Sequence, residues 1–198
     1  LIITGFLGSG KTTLVRRLAE LANKKGQKVA ILVNEIGDIG IDDQFMRRLG
    51  LNVWELLGGC ICCSLAGDLP GTLLKVQEDF SPDLILVEPT GAADPRNLTK
   101  ALDGYHGRPW KSLIRAALLD PLRIEMLMEV VTPLITATAQ QADLILITKA
   151  DKASEGELAY ALEVARDINP EAPLHKISAK RGISSEVVRG LLPWMSLD

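Results

Sequence analysis

Gly5-Phe6-Leu7-Gly8-Ser9-Gly10-Lys11-Thr12 fits the pattern G-x-x-x-x-G-K-[ST], the Walker A phosphate loop. An apolar run, Leu1–Thr4, precedes it, and an amphipathic stretch, Thr12–Lys25, follows. In that stretch Leu14, Leu18, Leu21 and Ala22 fall on one helical stripe, and Gly26 supplies a stop. The order is therefore strand, glycine-rich loop, helix. Glycines let the loop wrap so that its N–H groups converge on an anion, and the helix N-terminus adds positive potential. Gly5, Gly8, Ser9, Gly10, Lys11, Thr12 and Thr13 are thus the candidate phosphate-binding residues. Lys11 is expected to reach the β- and γ-phosphates of a nucleoside triphosphate, and the Thr12 hydroxyl to bind Mg²⁺.

Outward from this loop, apolar runs recur at Val29–Asn34, Val53–Leu57, Leu84–Glu88, Leu113–Asp120 and Leu144–Lys149, with a weaker one at Leu174–Ser178. Most are nearly continuous rather than alternating, as expected of strands buried on both faces. Helical patterns lie between them, clearest over Asp68–Phe80 and Glu155–Ile168, with a small helix around Ser184–Leu192. Leu102–Lys111, rich in Gly, Pro and polar residues, reads as a loop. Strands alternating with helices predict an α/β fold: a three-layer P-loop NTPase with a mostly parallel sheet flanked by helices, one domain over residues 1–198.

The 198 residues carry a net charge of −3, and aromatic residues make up 4%. Neither a basic surface nor a base-stacking platform follows, so nucleic acid and anionic membrane are not expected partners. No apolar run approaches the roughly 20 residues a membrane helix needs, and no secretory signal is visible. A reducing, cytoplasmic setting is the expectation.

A second Mg²⁺ element should end a later strand. Glu88 closes the run Leu84–Glu88 and is followed by Pro89-Thr90-Gly91. A carboxylate there can hold Mg²⁺ through water, and the Gly91 N–H can sense a γ-phosphate. Lys11, Thr12, Glu88 and Gly91 form the candidate catalytic set. The next residue is Ala92, where small signalling GTPases place a water-positioning Gln, so slow intrinsic hydrolysis is expected.

Thr148-Lys149-Ala150-Asp151 resembles the guanine-reading N-K-x-D motif with Thr for Asn. A carboxylate at Asp151 can accept from guanine N1–H and the 2-amino group; adenine would leave that charge unpaired. Ser178-Ala179-Lys180 resembles the S-A-K element that offers a backbone N–H to guanine O6. Thr148, Lys149, Asp151, Ser178 and Ala179 are the candidate base-binding residues, and GTP is the expected nucleotide.

All three cysteines lie within Cys60-Ile61-Cys62-Cys63. Such a cluster is a poor disulfide framework and a better metal or redox site. Thiolates favour Zn²⁺ or Cu(I), with Co²⁺ also acceptable. Three thiolates leave one place in a four-coordinate site, for which Glu35, Asp38, Asp42 and Asp43 are candidates. A redox-active dithiol is the competing reading. His106 and His175 are isolated and read as surface or structural residues.

The combination of Gly5–Thr13 (GFLGSGKTT), Asn34–Asp43 (NEIGDIGIDD), Gly58–Ser64 (GGCICCS), Glu88–Gly91 (EPTG) and Thr148–Asp151 (TKAD) resembles the CobW family of P-loop GTPases. That family is similar to the metal-insertion GTPases of urease and hydrogenase maturation. The resemblance implies a metallochaperone that hydrolyses GTP and binds zinc, or sometimes cobalt. It would deliver the metal to a client metalloprotein or cofactor-biosynthesis enzyme. The resemblance places the metal at Cys60, Cys62 and Cys63, with Asp38 assisting. It is compatible with a homodimer, and it implies that the family's smaller C-terminal domain is absent here. Two other function classes stay open: a P-loop kinase or ligase acting on a small molecule, and a non-catalytic metal- or redox-binding module.

Overall fold

The computed structural model describes residues 1–33, 52–55 and 65–196. Its strands are β1 (Ile2–Gly5), β2 (Val29–Val33), β3 (Asn52–Glu55), β4 (Leu84–Glu88), β5 (Arg115–Leu119), β6 (Leu144–Ile147) and β7 (Leu174–Lys176). Its helices, among the described residues, are α1 (Lys11–Lys24), α2 (Leu65–Phe80), α3 (Pro95–Asp103), α4 (Ile124–Val130), α5 (Thr132–Gln140), α6 (Glu155–Ile168) and α7 (Ser185–Leu191). Among the described residues the strands form one seven-stranded sheet in the order β3-β2-β4-β1-β5-β6-β7, and these pairings are all parallel.

The continuous apolar runs are explained by burial on both faces. Alternate residues of β1, β2, β4, β5 and β6 go to opposite sides. Ile3, Ile31, Leu86, Leu118 and Leu146 pack with Leu14, Val15 and Leu18 of α1 and with Val187, Val188 and Leu191 of α7. Ala117, Leu119, Ile145 and Ile147 face the other way, onto α4, α5 and α6. Ile2, Ala30, Leu32 and Val87 share that second face with Leu69, Leu73 and Val76 of α2 and Leu98 of α3. The three expected layers are present. Among the described residues no helix is long and apolar enough to cross a membrane.

Several boundaries differ from the sequence reading, each for a local reason. β5 ends at Leu119 rather than Asp120, because the Asp120 carboxylate accepts from Leu122 N (3.2 Å) and its carbonyl from Arg123 N (3.0 Å), which starts a turn. β6 stops at Ile147: Lys149 has a left-handed φ of 51°, which no strand can continue. β7 stops at Lys176, and Ser178 bridges to Gly182 in a tight turn. α2 begins at Leu65, three residues before Asp68, and contains Pro70 within it. α3 enters the expected loop as far as Asp103 and starts from Asp94, whose side chain accepts from Arg96 N at 2.9 Å, with Pro95 at the first helical position. α4 and α5, of 7 and 9 residues, are too short for periodicity to mark separately. α7 falls inside the expected Ser184–Leu192, with Ser184 as its N-cap.

Candidate functional site

β1 is central, between β4 and β5, so the loop leaving it opens at the carboxyl edge of the sheet where neighbouring crossovers diverge. The loop's shape is set by backbone. Gly5 has φ 147°, and a Cβ there would lie 2.7 Å from both Leu118 O and Ser9 Oγ. Gly8 and Gly10 also take positive φ, 72° and 98°. Ser9 N donates to Phe6 O (3.1 Å) and closes the turn. Lys11 opens α1 and is buried at 7% exposure, its Nζ donating to Phe6 O at 3.4 Å. The first turn of α1 contains no acidic residue. A buried ammonium at the positive end of a helix is complementary to an anion and otherwise unfavourable.

Two elements of β4 and its exit turn meet this loop. Thr12 Oγ1 donates to Glu88 Oε1 at 2.8 Å, across 76 residues of chain. Gly91 is buried against the loop so closely that a Cβ would run into Leu7 N and the Phe6 carbonyl carbon. The hydroxyls of Ser9 and Thr90 are buried with no hydrogen-bond partner among the described residues. Buried polar atoms without partners are rare and point to a missing polar ligand. The structure thus gathers Lys11, Thr12, Glu88 and Gly91, while Thr13 follows in α1, half-buried.

The second cluster sits at the carboxyl ends of β6 and β7. Thr148 is buried, and its hydroxyl donates to Leu119 O (3.3 Å), alongside Thr148 N to the same oxygen (2.9 Å). Ala150 N donates to Ile177 O at 3.1 Å, which ties this loop to the Ser178–Ala179 turn. Asp151 is held below the usual carboxylate range, first by a hydrogen bond from the Ser178 side chain, against some desolvation, with Arg181 adding a weaker attraction. Arg181 Nε lies 3.4 Å from Asp151 Oδ2. Asp151 therefore stays ionised, as an acceptor for two N–H donors must. From α1, Arg17 donates to Ala179 O (3.3 Å) and Lys180 O (3.4 Å), which fixes the S-A-K turn.

Sequence reasoning missed the residues between these clusters. Lys149 Nζ is 2.6 Å from Asp120 Oδ2, and Arg123 Nε is 2.9 Å from the same oxygen. Arg123 also donates through its terminal nitrogen to Leu7 O at 2.5 Å. Asp120 could have been noticed as a strand-end carboxylate like Glu88; nothing in the sequence distinguishes Arg123.

Cys60, Cys62, Cys63 and Asp38 lie outside the described residues, as do Glu35, Asp42 and Asp43. Their roots are visible. Val33, the last residue of β2, is in register with both Glu55 of β3 and Glu88 of β4. β2 and β3, which precede the acidic and cysteine motifs in sequence, therefore both end at the edge where Glu88 stands. Among the described residues no three His, Cys, Asp or Glu side chains are gathered to hold a metal ion. His175 is only near Glu186 (3.9 Å), and His106 is exposed in the α3–β5 loop.

Residues 1–176 match the family model described as CobW/HypB/UreG, nucleotide-binding domain. The chain belongs to this family. Within the CobW/HypB/UreG family it is 33% identical over 184 residues to the zinc chaperone YjiA of Escherichia coli, covering 89% of this chain and 56% of YjiA. It is 42% identical over 123 residues to the E. coli zinc chaperone YeiR, covering 61% of this chain and 37% of YeiR. The chain thus spans little more than half of one relative and about a third of the other. The crystal structure of Zn(II)-bound YjiA GTPase superimposes with a TM-score of 0.69 at 26% identity, over 98% of this chain and 61% of that one. The hydrogenase maturation factor HypB of Archaeoglobus fulgidus shares the fold, with a TM-score of 0.64 at 20% identity over 97% of this chain and 87% of HypB.

Proposed function

We propose that this chain is the GTP-hydrolysing domain of a metallochaperone that binds zinc, or cobalt, and passes it to a client metalloprotein or cofactor-biosynthesis enzyme. The observation that supports the nucleotide reading most is the meeting of Thr12 and Glu88 beside buried Lys11. It joins the two halves of a phosphate and metal site, one from the start of α1 and one from the end of β4. The amide-lined turn of Gly5–Gly10 would wrap the phosphates, with Lys11 at the β- and γ-positions. Thr12 Oγ1 and the Glu88 carboxylate are hard oxygen donors, the set that suits Mg²⁺. Mg²⁺, when bound there, would neutralise charge on the phosphates. The Ser9 hydroxyl, buried with no partner among the described residues, would donate to a phosphate oxygen, and the Gly91 N–H would report the γ-phosphate. Asp151, kept ionised, would select guanine, with Ser178 and Ala179 beside it and Thr148 and Lys149 shaping the pocket.

Zinc is cargo in this scheme, held by Cys60, Cys62 and Cys63 with Asp38 assisting. The register Glu55–Val33–Glu88 supports coupling between cargo and nucleotide. Movement at Glu88 when the γ-phosphate leaves is two strands from the root of the cysteine segment. Coupling must be reciprocal: nucleotide changes zinc affinity by the factor by which zinc changes nucleotide affinity. The test is calorimetric titration of zinc with and without a non-hydrolysable GTP analogue. Different zinc affinities in the two states, abolished by Cys60→Ser, are the expected result. Equal affinities refute the coupling; a protein that takes up no zinc refutes the chaperone reading.

A further inference from the structure

Asp120, the residue after β5, has a side chain 1% exposed with two cationic side chains against it. Its Oδ2 accepts from both Lys149 and Arg123, and its Oδ1 accepts from Leu122 N at 3.2 Å. Each of the two cations belongs to a different half of the nucleotide site. Lys149 lies in the base loop, two residues before Asp151. Arg123 reaches across the start of α4 to the carbonyl of Leu7, and its guanidinium lies 3.2 Å from where a Cβ on Gly8 would stand. One buried carboxylate thus bridges loops rooted on β1 and β6, which are not neighbours in the sheet. Lys149 takes a left-handed φ of 51°, unfavourable for a side-chain-bearing residue, and the ion pair offers a reason for it to be held there.

We propose that Asp120 and Arg123 are positioning residues that couple the base half of the site to the phosphate half. This rests on the reading of the site as one for a guanosine triphosphate. The Asp120 carboxylate fixes Lys149, Arg123 passes that restraint to Leu7, and the two loops are held at the separation that a whole nucleotide spans. Neither residue needs to touch the ligand. A ligand that engages both loops gains from the fixed separation, and a ligand that engages one loop gains nothing. Lys149 in this arrangement is anchored to Asp120, which Arg123 links to the phosphate loop.

The distinguishing measurement uses whole and divided ligands on the intact chain. Affinities for GTP, for guanosine and for inorganic tripolyphosphate are compared between wild type and Arg123→Met. Arg123 is about one-third exposed, so this substitution is the milder probe; Asp120→Asn, which alters a buried group, is the second. Arg123→Met is expected to weaken GTP about tenfold, within the usual range of coupling between sites, and each half-ligand less than twofold. Arg123→Lys, which keeps the charge but cannot fork between Asp120 and Leu7, is expected to behave like Met. If tripolyphosphate weakens as much as GTP, Arg123 is a phosphate ligand or merely stabilises its loop, and the inference is overturned. It is also overturned if GTP affinity is unchanged. Wild-type protein that binds no GTP would overturn the nucleotide reading as well.

Discussion

The two halves of the nucleotide site are held in shape by different means. At the phosphate end the constraint is backbone against backbone: Gly5 against Leu118 O, and Gly91 against Leu7 N. At the base end side chains do the holding: Lys149 on Asp120, Ser178 and Arg181 on Asp151, and Arg17 on the carbonyls of the S-A-K turn. Steric contacts between backbones leave almost no freedom and are insensitive to pH and salt. Ion pairs between side chains are adjustable, and those at the surface are screened. In the proposed reading, the first end presents a rigid row of N–H donors and the second discriminates between bases.

The contrast can be broken from either side. The largest effect is expected from Lys11→Ala, which removes the buried cation from the phosphate end. Phosphate-release assays should show GTP turnover falling by about 10²–10³, as for other single electrostatic donors. Turnover within a few-fold of wild type would mean that the backbone cradle suffices alone.

At the other end, Asp151→Asn should cut the preference for GTP over ATP by about ten- to a hundredfold, the worth of a hydrogen bond to a charged group, with little change in ATP affinity. Competition binding measures it. The same carboxyl sets a pH expectation. Its folded pKa lies below the ordinary value, so what it contributes is present above the ordinary value and lost only as pH falls through the lowered one. Base preference should therefore stay flat from about pH 7 to about pH 4.5, where an unperturbed Asp is already largely ionised. A decline beginning near neutrality would implicate another group.

Gly91→Ala sharpens the steric side of the comparison. Its Cβ meets backbone atoms that cannot rotate away, so overpacking should cost about 1–3 kcal/mol in urea denaturation and weaken the triphosphate more than guanosine. Unchanged stability would show that the turn and the phosphate loop can separate at little expense. The smallest effect belongs to Ser154→Ala. Ser154 caps α6, accepting from Glu157 N at 3.3 Å while Glu157 bonds back to Ser154 N at 2.7 Å. Losing that box should cost about 1 kcal/mol of stability. Guanine preference should be untouched, because the base loop is held by Asp120 and Ser178 rather than by the helix behind it.

Legibility followed the same division. The phosphate loop was readable because its glycines stand within eight consecutive residues, and their conformational demands are local. Leu84–Glu88 was readable to its last residue, since burial on both faces writes a continuous apolar run that ends where the polar edge begins. The base motif was readable in its residue types. Its support was not: Asp120 and Arg123 come from the turn between β5 and α4, and Arg17 from α1, and no spacing announces what their side chains reach. The short helices α4 and α5 escaped for a related reason, since two turns hold too few residues to establish a period.

By itself, then, the chain's order of residues determined the α/β class, the parallel sheet and the glycine-rich loop between strand and helix, because each depends on contacts within a few residues or on repeated burial. Only the tertiary structure decided that Thr12 meets Glu88, that Gly91 leaves no room beside Leu7, and that one buried carboxylate spans two loops. Those are distances between segments remote in the chain, and such distances exist only once the layers have packed.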